Sequence, residues 1–174
     1  MSLHAHITGP TLTTERLTLR QPVMDDFGPF AAYYGSDDAG WVGGPLDDRT
    51  AYRWFSAMAG HWTLKGYGWF WVDERDSGAS VGFVGPHFPP HVDDMEIGWV
   101  IYTQAQGRGY GHEAAIAARD WTVKTLGPER LVSYIDPGNA PSKALARKLG
   151  ATTDGTRAAH DDGCEVWQHP LEAA

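Results

Sequence analysis

The stretch Gln106-Gly-Arg-Gly-Tyr-Gly-His-Glu113 separates an apolar, strand-like run at 97–101 from a helix-like run at 114–126. Glycines at every second position let the backbone adopt positive φ and approach a ligand closely. The first turn of the following helix carries N–H groups without intrahelical partners, and the helix dipole places partial positive charge there. The sequence therefore predicts a turn that binds phosphate oxygens.

Other phosphate-binding loops fit this stretch less well. A Walker A loop requires Gly-Lys-Ser/Thr at its end, and no lysine follows these glycines. The dinucleotide fingerprint requires Gly-x-Gly-x-x-Gly early in a βαβ unit, whereas this turn lies in the second half of the chain. On this stretch alone, an ordinary flexible loop that ends in a helix N-terminus remains the alternative.

A second motif, residues 139–150, follows a short β-branched run at 131–135. Pro141 suits the first turn of a helix, where a backbone N–H has no intrahelical acceptor. Gly150 is expected in the left-handed conformation just beyond the helix end. This pattern predicts a second strand followed by a short helix.

Together the loop and the second motif resemble the GNAT family of N-acetyltransferases. The spacing Gln106-x-x-Gly109-x-Gly111 is similar to that family's acetyl-CoA pyrophosphate loop. The second motif matches in Asn139 and in the Lys-Leu-Gly run at the helix end. The piece 14–20 looks like the first strand of the branch that acetylates ribosomal-protein N-termini, the RimJ/RimL-like branch.

The resemblance implies an α/β (α+β) fold in one domain over 12–170, with 1–11 as an N-terminal extension. It also implies a mixed, mostly antiparallel sheet of about six to seven strands that splays at the cofactor strand, with about four flanking helices. Sequence patterns predict strands near 15–21, 68–73, 80–85, 95–102, 131–135, 153–159 and 165–169, and helices near 25–34, 47–65, 107–126 (with its loop) and 141–149.

The family resemblance further implies acetyl-CoA as co-substrate. Backbone groups of the strand would pair with the pantetheine arm, and the loop would hold the pyrophosphate. The implied cofactor-binding residues are Trp99, Val100, Ile101, Gln106, Gly107, Arg108, Gly109, Tyr110, Gly111, His112, Asn139, Ser142, Lys143 and Arg147.

Glu96 is the expected general base, because related enzymes place a carboxylate at this point of the cofactor strand, acting directly or through water. Strand alternation puts Glu96 on one face with Gly98 and Val100. A solvent-facing carboxylate or a counter-ion for the substrate remains the alternative. Asp93 and Asp94 are interpreted as loop residues.

Ser142 is the expected proton source for the departing thiolate. Many family members carry a tyrosine seven residues after the motif asparagine, but this chain has Ala146 there. The N-terminus-acetylating branch carries a hydroxyl at the position of Ser142, which would relay a proton or donate a hydrogen bond; water is the other source. Asn139 suits a bond to the pantetheine arm, yet asparagine is also an ordinary helix N-cap.

Charge is distributed unevenly along the chain. The segment 100–150 holds seven Lys/Arg and four Asp/Glu, a net of +3, whereas the whole chain carries −8. The basic segment is the one that holds both motifs, which fits a phosphate-bearing cofactor. The acidic remainder would attract a cationic amine acceptor or would simply form a solvated surface, and it argues against a nucleic-acid partner.

Other features narrow the class of protein. No run of roughly 18 apolar residues marks a membrane span, and residues 1–6 lack a secretory signal pattern. The single cysteine, Cys164, fits a reducing cytoplasm. Eight histidines are scattered without helical pairing, so no metal site is predicted. The run 69–71 alternates, with one face expected in the core and the other available to floor an acceptor cleft.

These observations predict an acetyl-CoA-dependent N-acetyltransferase that acts on a primary amine, with a protein N-terminal α-amine as the leading acceptor. An α-amine has a pKa near ~8 against ~10.4 for lysine, so a modest base can deprotonate it. A small-molecule amine acetyltransferase (aminoglycoside, polyamine or amino acid) and a non-catalytic acyl-CoA sensor are the alternatives. A homodimer and the identity of the acceptor are left open.

Overall fold

Strands and helices alternate along the chain in the computed structural model, which describes residues 9–161 and 163–172. The strands are β1 Leu12–Thr13, β2 Leu17–Arg20, β3 Phe70–Glu74, β4 Ser80–His87, β5 Met95–Ile101, β6 Leu131–Ile135 and β7 Glu165–Gln168. The α-helices are α1 Phe27–Tyr34, α2 Asp48–Lys65, α3 Tyr110–Leu126 and α4 Ala140–Lys148. Short 3₁₀ segments cover Met24–Asp26, Asp37–Val42 and Thr103–Ala105.

One sheet runs in the order β1-β2-β3-β4-β5-β6-β7, and only the β5–β6 pair is parallel. The parallel pair is short, because its register covers Met95↔Leu131 and Glu96↔Val132, whereas β4 follows β5 as far as Ile101. The two parallel strands therefore diverge after Glu96. This confirms the predicted mixed, mostly antiparallel sheet that splays at the cofactor strand.

The two faces of β5 belong to different cores, as its alternation predicts. Ile97 is fully buried in a core with Ala114 and Ala118 of α3. Val100 packs in a second core with Phe30 of α1 and Phe55 of α2, which is rich in aromatic rings. The carboxylate of Glu96 and the backbone of Gly98 share the face of Val100, so they point toward the α1–α2 side of the sheet.

The predicted helix over 47–65 is confirmed, and its ends have local causes. The side chain of Asp47 accepts a hydrogen bond from the Thr50 N–H at 2.7 Å, which caps the start of α2. Gly66 ends the helix in the left-handed region, with φ 77°. The predicted strands and helices around both motifs are also found within one or two residues.

The prediction of a strand near 153–159 is wrong. That segment makes only the isolated bridges Thr152↔Gln168 and Arg157↔Glu165 with β7. A turn separates the two bridges, because Asp154 Oδ1 accepts the Thr156 N–H at 2.9 Å and Gly155 has φ 86°. The predicted N-terminal extension falls mostly on 1–8, which lie outside the described residues.

Candidate active site

A cavity of about 730 Å³ opens where β5 and β6 diverge. Side chains from β5 and from the connection between β6 and α4 form one wall, and side chains from α2, β4 and the 37–42 segment form the other. The residues that contribute are Trp41, Trp54, Met58, His61, Trp69, His87, Glu96, Gly98, Trp99, Val100, Ser133, Asp136, Asn139 and Ser142, among others.

The glycine loop adopts the left-handed backbone that its sequence predicts, at two of its three glycines. Gly107 has φ 74° and Gly109 has φ 83°, and α3 begins at the next residue. The first bond of the helix ladder joins the Glu113 N–H to the Gly109 carbonyl. The N–H groups of 110–112 precede that ladder and point out of the helix start, where an anion is stabilised.

Gly111 departs from the expectation of positive φ, because it already belongs to α3. Its role is close packing. A Cβ at this position would lie 3.3 Å from Cγ1 of Ile101 and 3.4 Å from Cδ2 of Leu145. The start of α3 is thereby held against both β5 and α4, which brings the two motifs together.

An ion pair and hydrogen bonds from the turn between β1 and β2 brace the loop. Arg16 contacts the Glu113 carboxylate at 2.7 Å and donates to the Arg108 carbonyl at 2.9 Å, while the Thr14 hydroxyl donates to Glu113 at 2.6 Å. Burial opposes ionisation of Glu113, but the hydrogen bonds from Thr14 and Arg16 outweigh it and lower its pKa. The sequence suggests that Arg16 pairs with an acid, but it does not reveal that this pair braces the loop.

The side chains of three residues predicted to bind the cofactor contact other parts of the protein instead. The buried Tyr110 donates its hydroxyl to Glu74, and Arg108 pairs with the same carboxylate at 3.3 Å. The Gln106 side chain donates to the Ile101 carbonyl at 2.9 Å, at the end of β5. The backbone groups of these three residues are therefore the groups left for a ligand, and half-buried His112 lies on the same first turn.

Asn139 and Ser142 lie together at the cavity wall. Asn139 is buried, and its Oδ1 accepts the Ser142 N–H at 3.1 Å, which is the N-cap contact weighed from the sequence. The Ser142 hydroxyl accepts a hydrogen bond from the Trp99 indole N–H at 3.3 Å. A cofactor-strand side chain thus orients the hydroxyl that faces the cavity.

The other two predicted contacts of α4 do not line the cavity. Lys143 donates to the Pro137 carbonyl at 2.9 Å and lies 3.5 Å from Glu165, while the Arg147 guanidinium stacks 5.0 Å from the centre of the Trp167 ring. Both side chains contact residues of β7 because they lie on the face of the short helix that packs there. The sequence carried no signal for that orientation.

A buried serine fills the gap between the diverging strands. Ser133 donates its hydroxyl to the Ile97 carbonyl at 2.5 Å and lies 2.9 Å from His169 Nε2. Since the hydroxyl hydrogen is directed at Ile97, Nε2 of His169 is the donor in that contact. Burial lowers the pKa of His169 to about 4, so the ring is neutral at pH 7.

Glu96 faces a histidine that sequence analysis did not assign to the site. His87 is its direct partner in the β4–β5 register, with Nδ1 lying 3.7 Å from a carboxylate oxygen. His61 of α2 lies next in line, its ring centre 5.2 Å from that of His87. Burial, followed by the charges of His87 and Lys65, lowers the pKa of His61 to about 4. The contact of His87 with Glu96 follows from the pairing of β4 with β5, and that of His61 with His87 from the packing of α2 on the sheet.

The aromatic run at 69–71 behaves partly as predicted. Phe70 packs in the α3-side core, while Trp71 packs in the α1–α2 core. Trp69 lines the cavity on the same face as Trp71, so the cleft-facing and core-facing tryptophans share one face rather than opposite faces.

Two general findings bear on the class of site. Among the residues that the structure describes, no group of three or more His, Cys, Asp or Glu side chains could hold a metal ion; His4 and His6 lie outside them. No helix within 9–161 and 163–172 has the length and apolar character that a membrane crossing requires.

A family model for the acetyltransferase (GNAT) domain matches residues 16–152. An acetyltransferase structure from Agrobacterium tumefaciens str. C58 is 36% identical, with a TM-score of 0.88 over 95% of this chain and 96% of that one. The uncharacterized N-acetyltransferase YnaD of Bacillus subtilis (strain 168) is 31% identical over 83 residues, so the match spans about half of each protein (47% and 48%). RimL, a ribosomal L7/L12 alpha-N-protein acetyltransferase in complex with coenzyme A, shares the fold at 14% identity, with a TM-score of 0.75 over 95% of this chain and 100% of RimL.

Proposed function

The chain belongs to the GNAT acetyltransferases, and on that premise we propose that it moves the acetyl group of acetyl-CoA to a primary amine by direct attack in a ternary complex. One observation carries the proposal. The cleft between β5 and β6 has Glu96 and Ser142 on the wall of the same cavity, and the start of α3, with its N–H groups that lack intrahelical partners, packs against the end of β5 through Gly111 and Ile101. In this proposal Glu96 is the base, Ser142 is the proton donor and the helix start is the anion site.

The residues present fit acetyl-CoA, which supplies the acetyl thioester when bound. The N–H groups of 110–112 suit pyrophosphate oxygens, and Gly109 keeps their approach clear. Among the residues that the structure describes, none pairs as a strand with the backbone of 99–101 on the side of β6, so this backbone suits the amides of the pantetheine arm. Asn139 lines the cavity where the pantetheine arm would lie. Its Oδ1 already accepts the Ser142 N–H and caps α4.

In this proposal Glu96 accepts the proton of the attacking amine, directly or through one water. His87 Nδ1 lies 3.7 Å from the carboxylate, close enough to form an ion pair when the imidazole is protonated. Ser142, held by the Trp99 indole, donates a hydrogen bond to the sulfur as it leaves. This arrangement replaces the tyrosine that the chain lacks at position 146.

We further propose that the acceptor is an α-amine. We also propose that residues 12–170 form one acetyltransferase domain, with 1–11 as an extension, and that the protein acts in the cytoplasm. An α-amine titrates near ~8 rather than ~10.4, so forming its neutral form costs roughly 3 kcal/mol less than for lysine. RimL acts on such a group in a ribosomal protein. The single cysteine, Cys164, is a free thiol, as expected for a protein kept in a reducing compartment.

The test is a coenzyme A release assay with acetyl-CoA and a panel of amines, namely amino-acid amides, tripeptides, spermidine and an aminoglycoside, with mass spectrometry of the product. We expect release that depends on the amine and one added acetyl group on it. Binding of acetyl-CoA without release for any amine would contradict the proposal and favour a non-catalytic acyl-CoA sensor.

A further inference from the structure

Two tryptophans of the acceptor-side wall are seated on glycine backbones. Trp69 packs directly on Gly98 of β5, beside Glu96, and a Cβ at that glycine would collide with the indole. Trp54 of α2 packs on Gly43, where a Cβ would lie 2.7 Å from Cη2. Both rings line the cavity. Each ring occupies space that a side chain at the underlying glycine would fill.

A third tryptophan joins the two sides of the cleft. Trp41 lies in the 37–42 segment, and its Cη2 would be 3.0 Å from a Cβ at Gly138, in the connection between β6 and α4. The side chain is 55% exposed although it lines the cavity. It therefore forms an edge of the cleft that contacts the wall bearing Asn139.

The cavity has few carboxylates, and they lie on β5 and on the connection between β6 and α4. The carboxylates that line it are Glu96 and Asp136, and the latter already accepts the Gly138 N–H at 2.7 Å. Three histidines also line the cavity, namely the buried His61 of α2, with His87 and His91. The other side chains of the α2 wall, including Met58, are aromatic or aliphatic. One ammonium group next to an apolar body matches this layout, whereas a polycation would bring charges against indole rings without carboxylate partners.

We propose that the cavity selects primary amines whose neighbouring group is aromatic or branched and apolar, with the amine at Glu96 and the apolar group among Trp41, Trp54 and Trp69. This inference rests on the proposed function and names its substrate class. An aromatic ring of the acceptor would have a large contact area with the indoles. The glycines beneath the indoles leave room for these side chains. The same chemistry occurs in small aryl amines and in a chain that begins with an aromatic residue.

Two acceptors that share an α-amine and differ in one side chain test the selection. We expect kcat/KM for phenylalaninamide to exceed that for glycinamide by about tenfold or more, since burying such a side chain is favourable by at least that factor. Spermidine and an aminoglycoside should rank below phenylalaninamide. Equal or faster turnover of glycinamide or spermidine would overturn the proposal.

Matched variants of α2 locate the selecting surface. Trp54→Ala should lower the phenylalaninamide-to-glycinamide ratio about tenfold, because it removes one wall of the apolar site. Leu64→Ala is the control, since Leu64 is 85% exposed on the same helix and does not line the cavity. It should leave the ratio unchanged. An unchanged ratio in folded Trp54→Ala protein would contradict the assignment.

Direct binding separates this inference from the proposed function. Tryptophan fluorescence should report binding of phenylalaninamide and much weaker binding of glycinamide, without acetyl-CoA. If phenylalaninamide binds but no amine releases coenzyme A, the selective site stands and the proposed function fails. If glycinamide and phenylalaninamide bind alike, the selective site fails whatever the turnover. Tryptamine against the tripeptide Phe-Gly-Gly then distinguishes a small amine from a peptide N-terminus as the source.

Discussion

The two sides of the cleft differ in the groups that they present, which are backbone groups on one side and side chains on the other. On the side proposed for the cofactor, the groups available to a ligand are backbone N–H groups at the start of α3, held in place by Gly109 and by the pair of Arg16 with Glu113. On the side proposed for the acceptor, the groups that line the cavity are side chains, chiefly tryptophans and Glu96. A backbone site serves any chain that keeps the turn, whereas a side-chain site can change its ligand with a single substitution.

The two sides also differ in what keeps them rigid. Hydrogen bonds and ion pairs from Thr14, Arg16 and Glu74 brace the loop. Aromatic rings pack the acceptor side, with Phe30 and Phe55 centred 5.6 Å apart in the core behind it. Changes that alter backbone conformation should therefore act on the cofactor, and changes of side chain on the acceptor and the chemistry.

The largest expected effect is at the backbone of the loop. Gly109→Val should reduce acetyl-CoA binding below detection by calorimetry while circular dichroism shows a folded protein, because valine resists φ 83° and its side chain obstructs the approach of a phosphate. Gly155→Val is the control, with φ 86° in an exposed turn away from the loop. Equal affinity in the two variants would rule out this loop as the cofactor site.

A substitution on the acceptor side should change rate rather than cofactor affinity. Glu96→Gln is expected to lower kcat by about 10²–10⁴-fold with little change in the KM for acetyl-CoA. The loss should shrink at high pH, where the acceptor amine deprotonates without help. Asp136→Asn, in the same cavity wall, should have a much smaller effect, since its amide oxygen can still accept the Gly138 N–H. A defect that does not vary with pH would indicate a counter-ion.

Ser142 lies at the junction of the two sides, and its replacement should have a moderate effect. Ser142→Ala keeps the backbone N–H that Asn139 caps, so α4 should remain intact. We expect kcat to fall about tenfold or more, the scale of one hydrogen bond to a charged group. Trp99→Phe keeps the hydroxyl but removes the indole donor, so its loss should be smaller. Full activity in the alanine variant would leave water as the proton source.

The smallest expected effect concerns two buried histidines, His61 in the cavity wall and His169 beside Ser133. His61 and His169 have pKa values of about 4 when folded, below the ordinary ~6.5, so the unfolded chain binds more protons between these values. Stability should therefore fall as pH drops from about 6.5 toward 4, by about 1–3 kcal/mol for each ring.

Urea unfolding of two variants checks this comparison. His61→Phe should remove part of the pH dependence at little cost at pH 7, because the buried His61 Nε2 has no partner among the described residues. His169→Phe should remove a similar part but lower stability at pH 7, since it loses the contact with Ser133. A pH dependence unchanged in both variants would contradict these pKa shifts.

Local patterns predicted the secondary structure around both motifs well. The loop, the helix that follows it and the β6–α4 unit were each found close to their predicted bounds, because glycines, caps and apolar periodicity act within a few residues. Asn139 and Ser142 lie at the cavity as expected. Lys143 and Arg147, by contrast, contact residues of β7, because a helix position does not reveal which neighbour its side chain contacts.

By itself, the sequence determined the fold family, the glycine-rich turn before α3 and the strand that carries Glu96, since each depends on interactions between near neighbours along the chain. Only the tertiary structure decided which side chains share the cleft. His87 meets Glu96 through strand pairing, and Trp41 reaches Gly138 across the cleft. Such contacts join residues far apart in the chain, so their geometry follows from how the sheet and helices pack and leaves no periodic trace in the sequence.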